Sequence, residues 1–169
     1  MIRTLGAVLV AGCGIWFGSS QAKKLSQRVQ VLEELEAALE QVRRELELRC
    51  TPLPRLFGAL SGQVSWPAAE LFFKCAADLE KGKEVGFAQI WTSLTEDVPY
   101  LNQEEHRLLA ALGQVLGRYP GPEQGESIAR VCITLKQRAQ EARAECQRLG
   151  RVYRAIGAAG GGLLVILLL

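Results

Sequence analysis

The chain has 169 residues, and its 20 basic and 18 acidic residues give a net charge of +2. A balance this close to neutral does not favour a nucleic-acid-binding protein, whose affinity depends on excess positive charge. Apolar residues make up 49% of the sequence, and both ends are much more apolar than the rest. The sequence therefore predicts three parts: apolar terminal segments at residues 1–22 and 155–169, and one ordinary domain at residues 23–154.

The two terminal segments are predicted to be transmembrane helices. Residues 5–21 and 155–169 contain no charged side chain. Each segment is shorter than the roughly 20 residues that a helix needs to cross a bilayer core. Snorkelling of Arg151 and Arg154 would extend the second segment, and a hairpin that dips into one leaflet is the alternative.

Basic residues lie on the domain side of both terminal segments. Short basic flanks of membrane spans stay on the cytoplasmic side. The domain is therefore predicted to be cytoplasmic, in a multi-pass protein of the cell membrane. The flanking residues are Lys23, Lys24 and Arg28 after the first segment, and Arg148, Arg151 and Arg154 before the second.

The first segment also allows a different interpretation. The residues from Val10 to Cys13 resemble the lipobox of a bacterial lipoprotein precursor, and cleavage before Cys13 would remove the span and export the chain. The apolar run before Cys13 is short for a signal peptide, and the sequence stays apolar after it. The uncleaved span is preferred, with an exported lipoprotein or helical adaptor anchored through Cys13 as the alternative.

The domain has helical periodicity and no segment that resembles a strand. From Leu25 to Arg49 the apolar residues recur at steps of three and four, which predicts an amphipathic helix that continues the first terminal segment. Shorter helices follow, and a last long helix begins near Glu123. The predicted fold class is all-α: a cytoplasmic bundle of about six helices, whose long first and last helices pair in antiparallel directions and continue into the terminal segments.

The first long helix is predicted to end at a proline-containing corner. Proline lacks a backbone N–H and also restricts the residue before it, so the helix cannot continue through this run. The corner is predicted to be structural, with a contact surface for a partner as the alternative role. Its residues are Thr51, Pro52, Leu53 and Pro54.

Capping and burial can also be predicted along the domain. Ser65 is placed to cap the third helix, with Ala69, Phe72, Phe73, Ala76 and Leu79 on its buried face. Asn102 and Glu105 have the spacing of a capping box. The predicted core of the domain includes Leu39, Leu46, Phe72, Trp91, Leu112 and Leu135.

Glycines in the terminal segments have the spacing of a helix-packing motif. Gly14 and Gly18 are four residues apart, as are Gly157 and Gly161. Small residues let helix backbones approach closely in lipid. The two pairs are predicted to form the packing face between the spans, the alternative being that glycine is simply common in membrane helices.

Sequence motifs for catalysis are absent. There is no phosphate-binding loop, no nucleophile elbow and no zinc-binding pair of histidines. The single histidine, His106, is predicted to lie on a solvated helix face, and the five cysteines are predicted to be free. We expect no catalytic, metal or cofactor site, no small-molecule substrate and no nucleic-acid partner, so nucleotide energy would have to come from another protein.

The order of several short motifs resembles the stage III sporulation protein AB family over essentially the full length. These are the run from Gln21 to Leu25, Glu45 shortly before the proline corner, the Leu112-Gly113-x-x-Leu116-Gly117 motif followed by Gln124, and the final apolar tail. One departure is Pro120, where the family commonly has an acidic residue.

The resemblance implies a fold and a function. The family's middle domain is similar to the helical F-type platform domain of type II secretion and type IV pilus machines. It implies an integral membrane component of the channel that joins mother cell and forespore. Its partners would be a secretion-type ATPase and other sporulation channel proteins, and self-association into a homo-oligomer is a further alternative. The protein would lie in the mother-cell membrane facing the forespore.

Overall fold

All of the regular structure that can be described in this protein is helical. The computed structural model describes residues 2–49, 51–81, 86–116 and 122–168. These ranges contain no strand, which confirms the all-α prediction, and they hold six helices, the number expected. The helices are α1 (Ile2–Arg49), α2 (Leu53–Ser61), α3 (Ala68–Glu80), α4 (Phe87–Glu96), α5 (Gln103–Leu116) and α6 (Pro122–Leu168).

The chain divides into two compact units. Unit 1 combines Met1–Val29 with Gln140–Leu169, and unit 2 is Gln30–Ala139. Among the residues described, no helix has a stretch both long and apolar enough to cross a membrane. The side chains of most terminal residues fall outside the description, so the division at residues 22 and 154 stays a prediction.

In unit 2, α1 and α6 pair in antiparallel directions, as predicted. The Cys132 thiol on α6 donates to the Glu36 carbonyl oxygen on α1, with sulfur and oxygen 3.9 Å apart. Further along, a Cβ added to Gly125 would lie 2.5 Å from the Glu47 side chain. The apolar stripe of each helix is buried along this seam. It includes Leu32, Leu35, Leu39, Val42, Ile128 and Leu135, all without exposed surface.

The shorter helices pack around an aromatic cluster in unit 2. Phe57 lies 5.5 Å from Phe72 and 5.6 Å from Trp91, measured between ring centroids. Offset and tilted aromatic pairs at such distances add to the stabilisation that area burial provides. The buried Trp91 also donates its indole N–H to the Leu109 carbonyl oxygen at 2.7 Å, which leaves no unpaired polar atom on the ring.

Gly113 on α5 is the position that lets α5 approach this cluster. A Cβ built at Gly113 would lie 2.6 Å from Trp91 Cδ1. Carbon atoms at that separation overlap, so any side chain here would force Trp91 or the helix to move. The glycine that the sequence shows beside Leu112 is therefore explained by close packing in the core of unit 2.

The capping box before α5 forms as predicted. The Asn102 N–H donates to Glu105 Oε2 at 2.7 Å, and the Glu105 N–H donates to Asn102 Oδ1 at 2.8 Å. Glu105 is 1% exposed. A buried carboxylate needs such donors because leaving it unpaired is costly.

Several predictions on side-chain placement were wrong, and Ala69 and Leu79, predicted on the buried face of α3, are only half-buried. Ser65 makes no side-chain cap on α3, whose N-cap is Pro67; instead the Ser65 N–H donates to Glu34 Oε2 on α1 at 3.0 Å. Phe73 is 63% exposed, since α3 turns Leu71 and Cys75 inward beside Phe72. Leu46 is half-buried and lies at the edge of the core.

Candidate functional site

The proline corner between α1 and α2 closes through its own contacts. α1 ends at Arg49 and α2 begins at Leu53, as the two prolines predict. The Thr51 hydroxyl donates to Glu45 Oε2 at 3.3 Å, and the Leu56 N–H donates to the Pro52 carbonyl oxygen at 3.1 Å. These contacts join two of the motifs that carried the family resemblance. The role of the corner, structural or as a partner contact, stays a prediction.

A second candidate site lies on the exposed side of α3. We call it the α3 outer face: Trp66, Glu70, Phe73 and Lys74. Trp66 is 56% exposed and Phe73 is 63% exposed. Large aromatic side chains at such exposure are typical of protein interfaces.

Polar contacts hold the α3 outer face in place. Glu70 accepts the Trp66 indole N–H at 2.9 Å and pairs with the Lys74 ammonium at 2.7 Å. Hydrogen bonding by Lys74, and then by Trp66, lowers the pKa of the Glu70 carboxyl below its usual value. Glu70 is therefore ionised at neutral pH and fixes the orientation of the indole ring.

Tyr100 supports Trp66 from the loop before α5. Its ring meets the indole edge-on, with centroids 6.1 Å apart. Its backbone has a φ of 69°, a region that side-chain-bearing residues rarely adopt and that often marks functional positions. The adjacent cavity has about 50 Å³ and is lined in part by Pro67, Leu94 and Val98. This is far smaller than a cofactor pocket.

His106 is not simply solvated, as the sequence suggested. It is half-buried, and its Nδ1 lies 2.7 Å from the Thr95 carbonyl oxygen. A depression of about 320 Å³ beside it is lined by Glu96, Gln103, Arg107 and Ala110. Across the described ranges, no group of three or more histidine, cysteine or acidic residues is placed to hold a metal ion. The contact between His106 and Thr95 joins the end of α4 to α5 and is structural.

The described cysteines are free thiols with no activating partner. Cys75 and Cys132 are buried, and Cys146 is half-buried. Burial raises the pKa of both buried thiols to about 12. Each stays protonated at neutral pH, where the thiolate is the reactive form. Cys13 and Cys50 lie outside the residues whose side chains are described, so the prediction for them is unchanged.

The glycine pairs of the terminal segments fall in the two long helices. Gly14 and Gly18 belong to α1, and Gly157 and Gly161 belong to α6. Their surroundings lie outside the part of the structure in which side chains are described. The packing face between the spans therefore stays a prediction.

Sequence reasoning missed the α3 outer face. Both Phe72 and Phe73 were predicted to point inward; Phe72 is buried as predicted, whereas Phe73 is exposed. The contact joins Glu70 in the first turn of α3 to Trp66 in the turn that precedes the helix. An aromatic next to such a polar partner indicates an exposed, oriented ring.

The fold and its candidate sites define an all-α protein with an exposed aromatic face and a proline-containing corner between α1 and α2. Comparison with known proteins then gives the family. The chain matches the family model of stage III sporulation protein AB over residues 3–169, and it belongs to that family. It is 25% identical over 176 residues to the stage III sporulation protein AB of Bacillus subtilis (strain 168), with 100% of both chains covered. No solved structure matches the chain.

Proposed function

We propose that this sporulation-family protein is a non-catalytic platform of the channel between mother cell and forespore. In this role it couples a cytoplasmic secretion-type ATPase to the other channel proteins in the membrane. The observation that carries the proposal is the family match over nearly the whole chain. A match of that extent includes both apolar ends and the helical domain, which together make a membrane-anchored platform.

Membrane anchoring is part of the proposal. Residues 5–21 and 155–169 contain no charged side chain, and α1 is helical through residues 5–21 and α6 through residues 155–168. We propose that both helices enter the mother-cell membrane facing the forespore, with the domain at residues 23–154 in the cytoplasm. The helical state satisfies the backbone hydrogen bonds, as the bilayer interior requires.

The α3 outer face is the surface that we assign to the ATPase. Exposed aromatic anchors framed by polar side chains contribute most of the binding energy at many interfaces. Unit 2 has 12 basic and 16 acidic residues, a net charge of −4, so a partner with a basic docking surface would be attracted to it. Chemical work would then belong to the ATPase alone.

Co-purification of the full-length chain tests this function. A tagged chain is isolated in mild detergent from sporulating cells, and the ATPase in the eluate is quantified. We expect Phe73→Ser to lower its recovery about fivefold or more, the effect of losing an interface anchor. Ile133→Ser is the matched control, because Ile133 is a 68% exposed apolar residue on α6.

Two results would contradict the proposal. One is the absence of the ATPase from the eluate of the unchanged protein, and the other is an equal loss with both serine variants.

Treatment with globomycin tests the lipoprotein alternative, since it blocks cleavage before a lipobox cysteine. We expect no change in electrophoretic mobility on treatment, whereas an upward shift would show processing at Cys13.

A further inference from the structure

Charge is distributed very unevenly between the two units. Unit 1 contains eight basic and two acidic residues, a net charge of +6, whereas unit 2 has a net charge of −4. The nearly neutral total of the chain conceals this difference. Unit 1 is thus strongly basic in a protein with little overall charge.

One ion pair in unit 1 aligns basic residues from α1 and α6. The Arg28 guanidinium on α1 pairs with the Glu145 carboxylate on α6 at 3.4 Å. The two helices run in opposite directions, so moving toward the N-terminus of α1 is the same direction as moving toward the C-terminus of α6. Lys24 lies about one turn from Arg28 in that direction, and Arg148 lies about one turn from Glu145 in that direction. The pair therefore sets Lys24 and Arg148 at the same level of unit 1.

The cationic groups at this level are open to solvent. Lys23, Lys24 and Arg148 are all exposed, and we call these three residues the basic collar. Glu145 is one of the two acidic residues in unit 1, and it forms an ion pair with Arg28. This pairing reduces the negative charge close to the collar. Arg151 and Arg154 follow along α6.

We propose that the basic collar binds the headgroups of anionic phospholipids. This inference rests on the membrane anchoring in the proposed function. The uncharged residues 5–21 immediately precede Lys23 and Lys24, and the uncharged residues 155–169 follow Arg148 within two turns. A bilayer that takes up these segments places its phosphates beside the collar. Juxtamembrane lysine and arginine residues each strengthen attachment to an anionic surface about fivefold.

The favoured source of negative charge is a lipid surface. A long nucleic acid would also meet unit 2, whose net charge of −4 repels phosphate. A single soluble phosphate would require converging buried donors, whereas the collar side chains are exposed. Several exposed cations on two helices match a surface of many separate phosphates.

The test is a lipid titration of the full-length protein in neutral detergent micelles. Phosphatidylglycerol and phosphatidylcholine, each carrying the same acyl-chain fluorophore, are added, and the anisotropy gives the apparent affinity. We expect at least a tenfold preference for phosphatidylglycerol at low salt, and its loss in 0.5 M salt. Combining Lys23→Gln, Lys24→Gln and Arg148→Gln should lower binding of phosphatidylglycerol to the level of phosphatidylcholine.

A matched variant controls for the loss of three charges. Arg44→Gln, Arg130→Gln and Lys136→Gln together remove three exposed cations from unit 2, and we expect the lipid preference to be unchanged. Circular dichroism confirms that both triple variants are folded. Equal binding of the two lipids, or equal losses in the two triple variants, would overturn the proposal, as would competition by soluble glycerol phosphate at matched concentration.

The outcome for the collar is separable from that for the proposed function. Carbonate extraction of cell membranes reports on anchoring alone, because it releases peripheral proteins whatever the lipid charge. A chain that resists extraction yet shows no lipid preference would overturn the collar only. A chain released by carbonate would overturn the anchoring on which the collar depends.

Discussion

Units 1 and 2 are specified by different physical properties. Unit 2 depends on particular contacts: the aromatic cluster, the close approach of Gly113 to Trp91, and the capping box before α5. Unit 1 depends on composition, with two uncharged apolar ranges and a net charge of +6. Substitutions in unit 2 should therefore change stability, and those in unit 1 should change location and lipid contacts.

The largest expected effect is the truncation of a core leucine in unit 2. Leu112 is 1% exposed, so Leu112→Ala removes buried surface and leaves a cavity. We expect a loss of about 2–5 kcal/mol in the free energy of unfolding, measured by chemical denaturation in detergent. Leu48→Ala is the control, because Leu48 is 81% exposed. A change below about 0.5 kcal/mol at Leu112 would contradict its assignment to the core.

A smaller loss is expected from adding a methyl group at Gly113. Gly113→Ala places a Cβ 2.6 Å from Trp91 Cδ1, and overpacking of this kind costs roughly 1–3 kcal/mol. Gly58→Ala is the matched control in α2, where the new Cβ meets nothing within 4 Å. There alanine should stabilise the helix by up to about 1 kcal/mol. Equal responses at the two glycines would show that Trp91 can move aside.

The capping residues give a third and smaller effect. Asn102→Ala removes the side-chain acceptor of the Glu105 N–H, and the loss of such a cap costs about 0.5–2 kcal/mol. Ser65→Ala should stay within about 0.5 kcal/mol, since α3 has no side-chain cap. Thermal unfolding followed by circular dichroism measures both. A larger loss at Ser65 than at Asn102 would reverse this assignment.

The smallest effect is expected in unit 1, from a larger side chain in the predicted packing face between the spans. Gly157→Ile should loosen the pairing of the spans, because a branched side chain separates two close backbones. Ala158→Ile, on another side of the helix, should be tolerated. Sporulation efficiency is the measurement, with membrane insertion checked in parallel. Identical efficiencies for the two variants would leave the glycines as ordinary membrane composition.

The contrast between the units also explains what the sequence could and could not predict. Helix number and ends followed from local signals, such as Pro52 and the spacing of Asn102 and Glu105. Tertiary packing decides which residues of α3 are buried, and it leaves Phe73 exposed although the sequence predicted it to be buried. Ser65 resembled a cap, but its backbone N–H bonds to Glu34, a residue 31 positions away. Such long-range pairings have no local signature.

The most direct test of the account is the side of the membrane on which unit 2 lies. Cys75 and Cys132 are buried, so they would escape labelling on either side and cannot report on it. Lys136 is exposed, and Lys136→Cys supplies a suitable thiol. The variant is expressed in vegetative cells and treated with a membrane-impermeant maleimide, beside the unsubstituted chain. We predict additional labelling only after the cells are lysed; efficient labelling of intact cells would contradict a cytoplasmic platform.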